Sequence, residues 1–454
     1  MNTSFFGELL QTIAERGRTL IAGRPRRPAG EERTASLIDL CDALLSGRGE
    51  ASGAALAAEI LSDFRGLKTG ERIAFFEALA RIYGPDSDRL TRACAAYTEN
   101  PTDAAAAELH DAAEPRRQEL IRRLNLAPGA TEALVAMREH LLEALELRRD
   151  LAPVDHDLVH LLSSWFNRGF LVLRRIDWSS PAIVLEKIIR YEAVHEIRDW
   201  DDLRARIDSP DRRCYAFFHP ALVDEPLIFV EVALTRDMPD AIAPILSRER
   251  APIDPREATT ATFYSISNTQ RGLTGVTFGS FLIKQVVEEI SRELPNLTTF
   301  VTLSPVPMFC DWLKDQIRDP DSFALGQNDR ATLALLDQPD WQADPTKVAP
   351  LRPVLGALVA YYFLHERTSQ GRPLDPVARF HLGNGARLER INLMADLSPK
   401  GLALSAGTMV NYQYVLADIE KNHEAYAEAG EVVASAAVRR MLRAERSARA
   451  VAAQ

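Results

Sequence analysis

Apolar side chains recur every three or four positions through the first 150 residues, which predicts one helix after another. The clearest stripes fall in residues 37–45, 73–83 and 131–145. Gly84-Pro85 is expected to end the second helix, and Thr131 is a candidate cap for the third. This third of the chain carries no pattern that points to chemistry. Its apolar stripes therefore predict packing and, in part, contacts between subunits.

The pattern changes after residue 213, where short runs rich in β-branched and aromatic residues predict strands. Residues 156–206, before this change, are predicted to be largely helical. The order of strands, a glycine-containing loop, a helix and another strand predicts an α/β domain with a mixed sheet. The Pro153 region separates two predicted domains, residues 1–152 and 153–454. The predicted elements after the change are strands at 214–218, 227–234, 262–266, 298–303 and 387–394, a helix at 276–294, and surface helices from about 419.

Composition places the chain among ordinary globular proteins, with 46% hydrophobic residues and a net charge of -10. An acidic balance argues against a nucleic-acid partner. The four scattered cysteines form no metal or disulfide pattern, which fits a reducing compartment. The longest apolar run, Pro353–Leu364, is shorter than a membrane span.

Localisation follows from the two ends of the sequence. Glu8 and Glu15 lie in an N-terminal segment where a transit peptide would avoid acids. The last four residues, VAAQ, differ from the peroxisomal address. We therefore expect a cytoplasmic protein.

Three short segments combine residues that can perform chemistry. The first, between a predicted strand and a helix, contains Gln270, Arg271, Gly272, Leu273, Thr274 and Gly275. Its glycines would let the backbone approach a ligand, and the following helix N-terminus favours phosphate; a plain turn is the alternative. The second holds Ser304 after a strand, either as a site residue or as a helix cap. The third holds His381 beside the turn signals Gly383-Asn384-Gly385, either as a proton donor or as a structural histidine.

Two further features carry an ambiguous signal. Glu231 is the only charge in an apolar strand, and a solvent-facing position is the simpler interpretation. His156 and His160 flank Asp157 in a pattern that imitates a zinc-binding helix. Because aspartate is short and no third ligand is evident, a structural role is the preferred interpretation there.

Taken together, these segments resemble the malonyl-CoA decarboxylase family. The resemblance lies in FYSISNTQRGLTGVTFGSFLIK (263–284), TLSPVPMFCDWL (302–313) and HLGNGARLERINLMADLSPKGLALSAGTMVNYQYVL (381–416). It covers the second two-thirds of the chain, and the helical first third fits the family in character.

The resemblance implies a helical N-terminal domain followed by a catalytic domain of the GNAT acetyltransferase type. It places the family's catalytic serine and histidine on Ser304 and His381, with Tyr414 associated with them. Residues Gln270 to Gly275 would hold the coenzyme A pyrophosphate. Gly272 stands one position earlier than the glycine of the usual acetyltransferase pattern. The pattern therefore does not determine which N–H groups of this segment would contact the phosphates.

The implied reaction is decarboxylation of malonyl-CoA to acetyl-CoA, with no cofactor beyond the coenzyme A of the substrate. His381 would donate to the thioester oxygen or protonate the enolate, and Ser304 would hold the carboxylate or share that role. The roles of these two residues are interchangeable at this stage. An acyl-CoA-dependent N-acyltransferase and a non-catalytic acyl-CoA-binding regulator are the alternatives. Self-association as a dimer or tetramer is the expected assembly.

Overall fold

The structure is a computed structural model that describes residues 31–46, 49–276, 282–326 and 328–442. The chain divides into two compact units. The helical unit contains the described residues up to Val172, together with Phe218–Glu225 and the described part of Gln270–Phe278. The sheet unit contains Leu173–Phe217, Pro226–Thr269 and the described residues that follow. The predicted boundary near residue 152 stays a prediction.

The helical unit confirms the three predicted amphipathic helices within α1, α3 and α7. Thr131, however, does not cap α7: the cap residue is Gly129, with a φ of 70°, and Thr131 Oγ1 donates to Asn125 Oδ1 at 2.8 Å. The described helices of this unit are α1 (Glu31–Leu45), α2 (Glu50–Arg65), α3 (Thr69–Arg81), α4 (Ser87–Glu99), α5 (Asp103–Ala113), α6 (Arg116–Leu124), α7 (Ala130–Leu145) and α8 (Ala152–Trp165).

The segment that imitates a zinc helix lies in α8. Its central residue, Asp157, forms a buried ion pair with Arg117 of α6 and accepts from Gln118 Nε2 at 2.7 Å. The side chain of His156 is 83% exposed. Asp157 therefore joins two helices of the unit, which is the structural role expected for it.

The sheet unit contains the predicted mixed sheet. The order of its described strands is β1-β2-β3-β4-β5-β8-β6, and β7 also pairs with β8. Strands β4 and β5 are parallel, whereas β3–β4, β5–β8, β6–β8 and β7–β8 are antiparallel. The strands are β1 (Val172–Ile176), β2 (Arg212–Phe218), β3 (Pro226–Thr235), β4 (Thr260–Asn268), β5 (Thr299–Thr302), β6 (Ser304–Pro305), β7 (Arg387–Asn392) and β8 (Met409–Gln413).

Three of the described strands were not predicted: β1, the two-residue β6 and β8. Residues 156–206 were expected to be largely helical, but Val172–Ile176 forms β1, with short helices after it. Four of its five residues are exposed or half-buried. A strand at the end of the sheet order needs few apolar residues, so its sequence lacks the signal of the buried strands.

Helices surround this sheet. They are α9 (Ala182–Tyr191), α10 (Trp200–Ile207), α11 (Ala243–Leu246), α12 (Leu282–Glu293), α13 (Phe309–Arg318), α14 (Asp329–Leu333), α15 (Pro345–His365), α16 (Pro376–Gly383), α17 (Pro399–Ser405), α18 (Ile419–Ala429) and α19 (Ala436–Met441). Helix α15 extends the apolar run Pro353–Leu364 to 21 residues, long and apolar enough to cross a membrane by length and composition. Of its apolar window, 61% is buried inside the protein, as in a core helix.

Glu231 of β3 contradicts its predicted solvent-facing position. The side chain is fully buried, and Arg206 Nη1 of α10 donates to its Oε2 at 3.2 Å. Burial and, to a smaller extent, the neighbouring Glu192 raise the pKa of Glu231 to about 8, against the lowering effect of Arg206. The pairing register of β3 and β4 shifts by one residue between Glu231 and Val232. This shift is a β-bulge at Tyr264 of β4.

Candidate active site

Ser304 is the first residue of β6, which follows β5 after the single residue Leu303. It pairs with Val410 of β8, and the preceding Leu303 N–H donates to Phe263 O of β4 at 2.9 Å. The side chain is 5% exposed. The next helix, α13, begins at Phe309 with Met308 as cap residue and no side-chain cap. Ser304 is therefore not the helix cap that the sequence left open as an alternative.

His381 lies in the last turn of α16, not in the adjacent turn where the sequence placed it. The helix begins with Asp375, whose side chain accepts from Ala378 N–H at 2.8 Å, and with Pro376 in its first turn. It ends before Gly385, which has a φ of 80° and whose added Cβ would lie 2.2 Å from Ile419 O. His381 is 3% exposed, so its ring is held inside the unit by a helix fixed at both ends.

Ser304, His381 and Tyr414 meet in space. Ser304 Oγ lies 3.2 Å from His381 Nε2, across 77 residues of sequence. His381 Nδ1 lies 2.8 Å from the Tyr414 hydroxyl. The ring of Tyr412 stacks on the imidazole, with the centroids 4.6 Å apart. Tyr412 lies in β8 and Tyr414 directly follows it. The end of one strand therefore covers one face of the His381 ring and also supplies the hydroxyl that bonds its Nδ1.

The direction of these hydrogen bonds follows from the protons available. Burial lowers the pKa of His381 to about 3, so the ring is neutral near pH 7 and carries one N–H. Ser304 Oγ–H donates to Thr302 Oγ1 at 2.8 Å, and a hydroxyl has only one proton to give. His381 Nε2–H is therefore the donor to Ser304, and Nδ1 accepts from Tyr414 O–H. Burial keeps the pKa of Tyr414 well above its usual value, so the phenol retains this proton.

A cavity of about 220 Å³ opens beside Ser304 and His381. Most of its wall is apolar, and the described lining residues include no Asp, Glu, Lys or Arg. Tyr414 is not among the described lining residues, but it contacts two of them, His381 through its hydroxyl and Phe263 through its ring. The lining residues are Val194, Phe263, Tyr264, Ile266, Asn268, Ser304, Pro305, Pro376, Val377, Phe380 and His381.

The predicted coenzyme-binding segment, Gln270 to Gly275, lies in the helical unit. Arg271–Leu273 forms one turn of 3-10 helix that packs on α7. Gly272 N–H donates to Glu139 Oε1 at 3.2 Å, and Gly272 O accepts from the buried Arg138 at 2.7 Å. A Cβ on Gly272 would lie 2.0 Å from Val135 O. Gly272 therefore permits close contact of the turn with α7, whereas the sequence analysis expected this glycine to permit contact with a ligand.

Several backbone amides of this segment are already engaged. The N–H groups of Leu273, Thr274 and Val276 donate to carbonyls three residues earlier, and that of Gly272 bonds Glu139. Gly275 has a φ of 81°, and a Cβ there would have no atom of the described residues within 4 Å. The conformational freedom and open surroundings that a ligand requires are found at Gly275 rather than at Gly272.

Two residues next to the predicted ones were missed by the sequence analysis. Thr302 is fully buried and bonds Ser304, and Tyr412 stacks on His381. Thr302 lies two positions before Ser304, and Tyr412 lies two positions before Tyr414, in each case along an extended segment. Side chains two apart in a strand share a face, so this spacing was the signal that would have found them.

Known proteins resemble this chain along most of its length. The family described as "Malonyl-CoA decarboxylase C-terminal domain" matches residues 169–452, and "Malonyl-CoA decarboxylase N-terminal domain" matches residues 83–166. A curated relative from Anser anser anser, "Malonyl-CoA decarboxylase, mitochondrial", is 38% identical over 84% of this chain and 81% of its own length.

Solved structures give the same result in three dimensions. The crystal structure of malonyl-CoA decarboxylase from Rhodopseudomonas palustris is 58% identical, covers 91% of this chain and all of its own, and has a TM-score of 0.88. That from Cupriavidus metallidurans is 36% identical, covers 90% of this chain and all of its own, and has a TM-score of 0.72. From its family matches and the length and identity of these similarities, the chain belongs to the malonyl-CoA decarboxylase family.

Proposed function

We propose that this protein decarboxylates malonyl-CoA to acetyl-CoA and CO2. The observation that carries the proposal is the contact of Ser304 with His381 on the wall of a cavity whose described lining residues include no Asp, Glu, Lys or Arg. The printed names of the relatives supply the substrate. The cavity offers this substrate a hydrogen-bond donor and apolar walls, and decarboxylation needs both.

Loss of CO2 sends the electrons of the breaking C–C bond into the thioester carbonyl and produces an enolate, whose carbon then takes one proton, from water or from His381, to give acetyl-CoA. A hydrogen-bond donor held at that oxygen lowers the barrier by roughly 3–4 kcal/mol. His381 is a neutral imidazole with its proton on Nε2, beside the cavity-lining serine. We assign the donor role to His381 Nε2–H, because a neutral ring can donate without first acquiring a charge in a buried site.

The walls of the cavity favour departure of the carboxylate as neutral CO2. Phe263, Val377 and Phe380 contribute apolar surface, and the lining residues that the structure describes include no cationic side chain to stabilise the carboxylate. A carboxylate moved from water into such surroundings is destabilised relative to CO2. Ser304 is then the group that orients the carboxylate, for which its O–H turns from Thr302 to the carboxylate when substrate binds. The exchange of roles between Ser304 and His381 is the competing assignment.

We assign coenzyme A binding to Gln270, Arg271, Gly272, Leu273, Thr274 and Gly275. Gly275 supports this assignment through its positive φ and open surroundings, and the side chain of Arg271 is 73% exposed. Gly272 contributes by fixing the turn on α7. The test is the KM for malonyl-CoA, which should rise several-fold in Arg271→Ala with little change in kcat, since the arginine would bind ground state and transition state alike.

The thioester carbonyl is the electron sink of this reaction, so we propose that no cofactor beyond the coenzyme A of the substrate takes part. Activity that persists unchanged after exhaustive dialysis against a chelator supports this proposal. Loss of activity that is restored by a divalent metal contradicts it.

The acyl-CoA-dependent N-acyltransferase considered from the sequence is not favoured. Such an enzyme needs a base to take a proton from the amine, and Nδ1 of His381 is occupied by Tyr414 while Nε2 carries the proton. The relatives named above are also decarboxylases by name. Consumption of acetyl-CoA on addition of amines is the measurement that would support the alternative.

The setting of the reaction is also a proposal. We place the protein in the cytoplasm and in fatty acid metabolism, as a homo-oligomer built on the helical unit. The relatives from Anser anser anser and Rattus norvegicus are named mitochondrial, and the mitochondrion is therefore the competing location. A sedimentation experiment at micromolar concentration that gives a monomer would contradict the assembly.

The central experiment mixes the purified protein with malonyl-CoA and follows CO2 and acetyl-CoA together. Equal release of both, greatly slowed in Ser304→Ala and His381→Ala variants that remain folded, supports the reaction and the residues. Binding of coenzyme A esters without CO2 release contradicts it and favours the non-catalytic regulator.

A further inference from the structure

Thr302 lies at the end of β5, behind Ser304, and is fully buried. Its Oγ1 accepts two hydrogen bonds, from Ser304 Oγ–H at 2.8 Å and from Tyr412 N–H at 3.1 Å. Its carbonyl accepts from Asn411 Nδ2 at 2.7 Å. The threonine hydroxyl is therefore fixed in space from β8 and presents a lone pair to the serine.

This contact decides where the proton of His381 resides. As long as Ser304 gives its proton to Thr302, the serine oxygen faces Nε2 with lone pairs, and the histidine carries its proton on Nε2. If the Thr302 acceptor is removed, Ser304 O–H can turn towards Nε2. The imidazole then takes the other tautomer, with Nδ1–H donating to the Tyr414 oxygen, and loses its donor on the cavity side.

We infer that Thr302 is a positioning residue that fixes the Nε2–H tautomer of His381 through Ser304. The inference rests on the proposed function, in which that N–H donates to the developing enolate oxygen. Thr302 is not among the described lining residues of the cavity, and its hydroxyl reaches the imidazole through Ser304 and through the amide of Tyr412, which stacks on the ring. A histidine held in the wrong tautomer is known to reduce turnover strongly in enzymes that depend on its proton.

The test replaces the hydroxyl in two ways and reads the tautomer directly. Thr302→Val keeps the shape of the side chain and removes the acceptor, whereas Thr302→Ser keeps the acceptor. The protein contains nine histidines, and in protein labelled with 15N-histidine the His381 resonances are those lost in His381→Gln. The wild type should show the Nε2–H tautomer, and so should Thr302→Ser.

In Thr302→Val we expect a mixture of tautomers and a kcat for CO2 release reduced about tenfold or more, as for loss of an orienting hydrogen bond, with little change in KM. The matched control is Thr262→Val on the neighbouring strand, a fully buried threonine whose hydroxyl has only a 3.4 Å contact with Thr235. It should keep the wild-type tautomer and kcat. If Thr302→Val does not fold, Thr302→Ala removes the same acceptor with less bulk.

Two results would overturn the inference. One is a Thr302→Val protein with the wild-type tautomer. The other is a Thr302→Ser protein that loses as much turnover as Thr302→Val, because the hydroxyl would then not be the relevant group. If the wild type releases no CO2, the proposed function fails, and the tautomer comparison still decides whether Thr302 sets the proton position.

Discussion

The Ser304–His381–Tyr414 group is held by side chains, whereas the segment Gln270 to Gly275 is held through its backbone. In the first, neutral hydrogen bonds run in series from Tyr414 to His381, Ser304 and Thr302. In the second, Arg138 and Glu139 of α7 bond the carbonyl and amide of Gly272. The first group occupies the sheet unit and the second the helical unit.

This difference indicates which property each region preserves. The side-chain series controls the position of single protons, which a reaction needs, and it avoids buried charge. The bonds of Arg138 and Glu139 to the backbone of Gly272 control the shape of the turn, which ligand binding needs. They do not depend on which side chains the other residues of the turn carry. Mutations should therefore change kcat in the first region and KM in the second. The following predictions test that contrast, from the largest expected effect to the smallest.

His381→Ala should lower kcat for CO2 release by about 10²–10⁴-fold, because it removes the proposed donor to the enolate oxygen. KM should change far less. Steady-state kinetics on a variant with a native circular dichroism spectrum give both values. His156→Ala, at an exposed histidine of α8, is the matched control and should retain wild-type kinetics. A His381→Ala protein with wild-type turnover would exclude the proposed mechanism.

Gly272→Ala should raise the KM for malonyl-CoA at least about tenfold, since the new Cβ would meet Val135 O at 2.0 Å and displace the turn from α7. The kcat at saturating substrate should fall much less. Gly70→Ala in α3, where a Cβ meets nothing within 4 Å, controls for the substitution itself. An unchanged KM in a folded Gly272→Ala protein would remove the segment from substrate binding.

Tyr414→Phe should reduce kcat about tenfold, because His381 Nδ1 loses its donor and the ring loses a restraint on its orientation. The KM should stay near the wild-type value. The comparison with Tyr426→Phe, on α18, separates loss of this hydroxyl from general effects of removing a phenol. Equal kinetics of the two variants would contradict the positioning role of Tyr414.

The smallest effect concerns acid stability. The folded-state pKa of His381, about 3, lies below its ordinary value of 6.5, so between these values the unfolded chain binds a proton that the folded protein refuses. His381 therefore contributes a loss of stability as pH falls from 6.5 towards 3. Denaturant unfolding at pH 7 and pH 5 should show a smaller loss in His381→Gln than in the wild type. An equal loss would contradict the neutral, buried state of the ring.

The sequence predicted the elements that carry strong local patterns. Apolar stripes located α1, α3 and α7, and apolar runs located β2 to β4, because each such element buries one face or both. Ser304 and His381 were candidates from their places after a strand and beside a turn; the family resemblance gave them their roles and added Tyr414. The structure brings all three into contact, which no local pattern shows, since the residues come from three different elements.

The errors have a common physical origin in partners that lie far away in sequence. Glu231 looked solvent-facing because its strand reveals nothing of Arg206, which reaches it from α10. Gly272 looked like a ligand-facing glycine because its neighbour in space is Val135 of α7. His381 looked like a turn residue because its own helix is only eight residues long. Thr302 carried no signal except its spacing from Ser304.

The place of β8 in the sheet has a consequence for synthesis of the protein. Met409–Gln413 pairs with β5, β6 and β7, and the two aromatic residues that hold the imidazole belong to it or follow it directly. Helix α18, which comes later still, supports the end of α16 through Asn422, bonded to Gly385 O at 3.1 Å. During translation the helices before residue 165 can fold early, as N-terminal segments generally do. A nascent chain that stops before residue 409 lacks the strand that joins the two halves of the site, so catalytic competence must arise only after these late elements have left the ribosome.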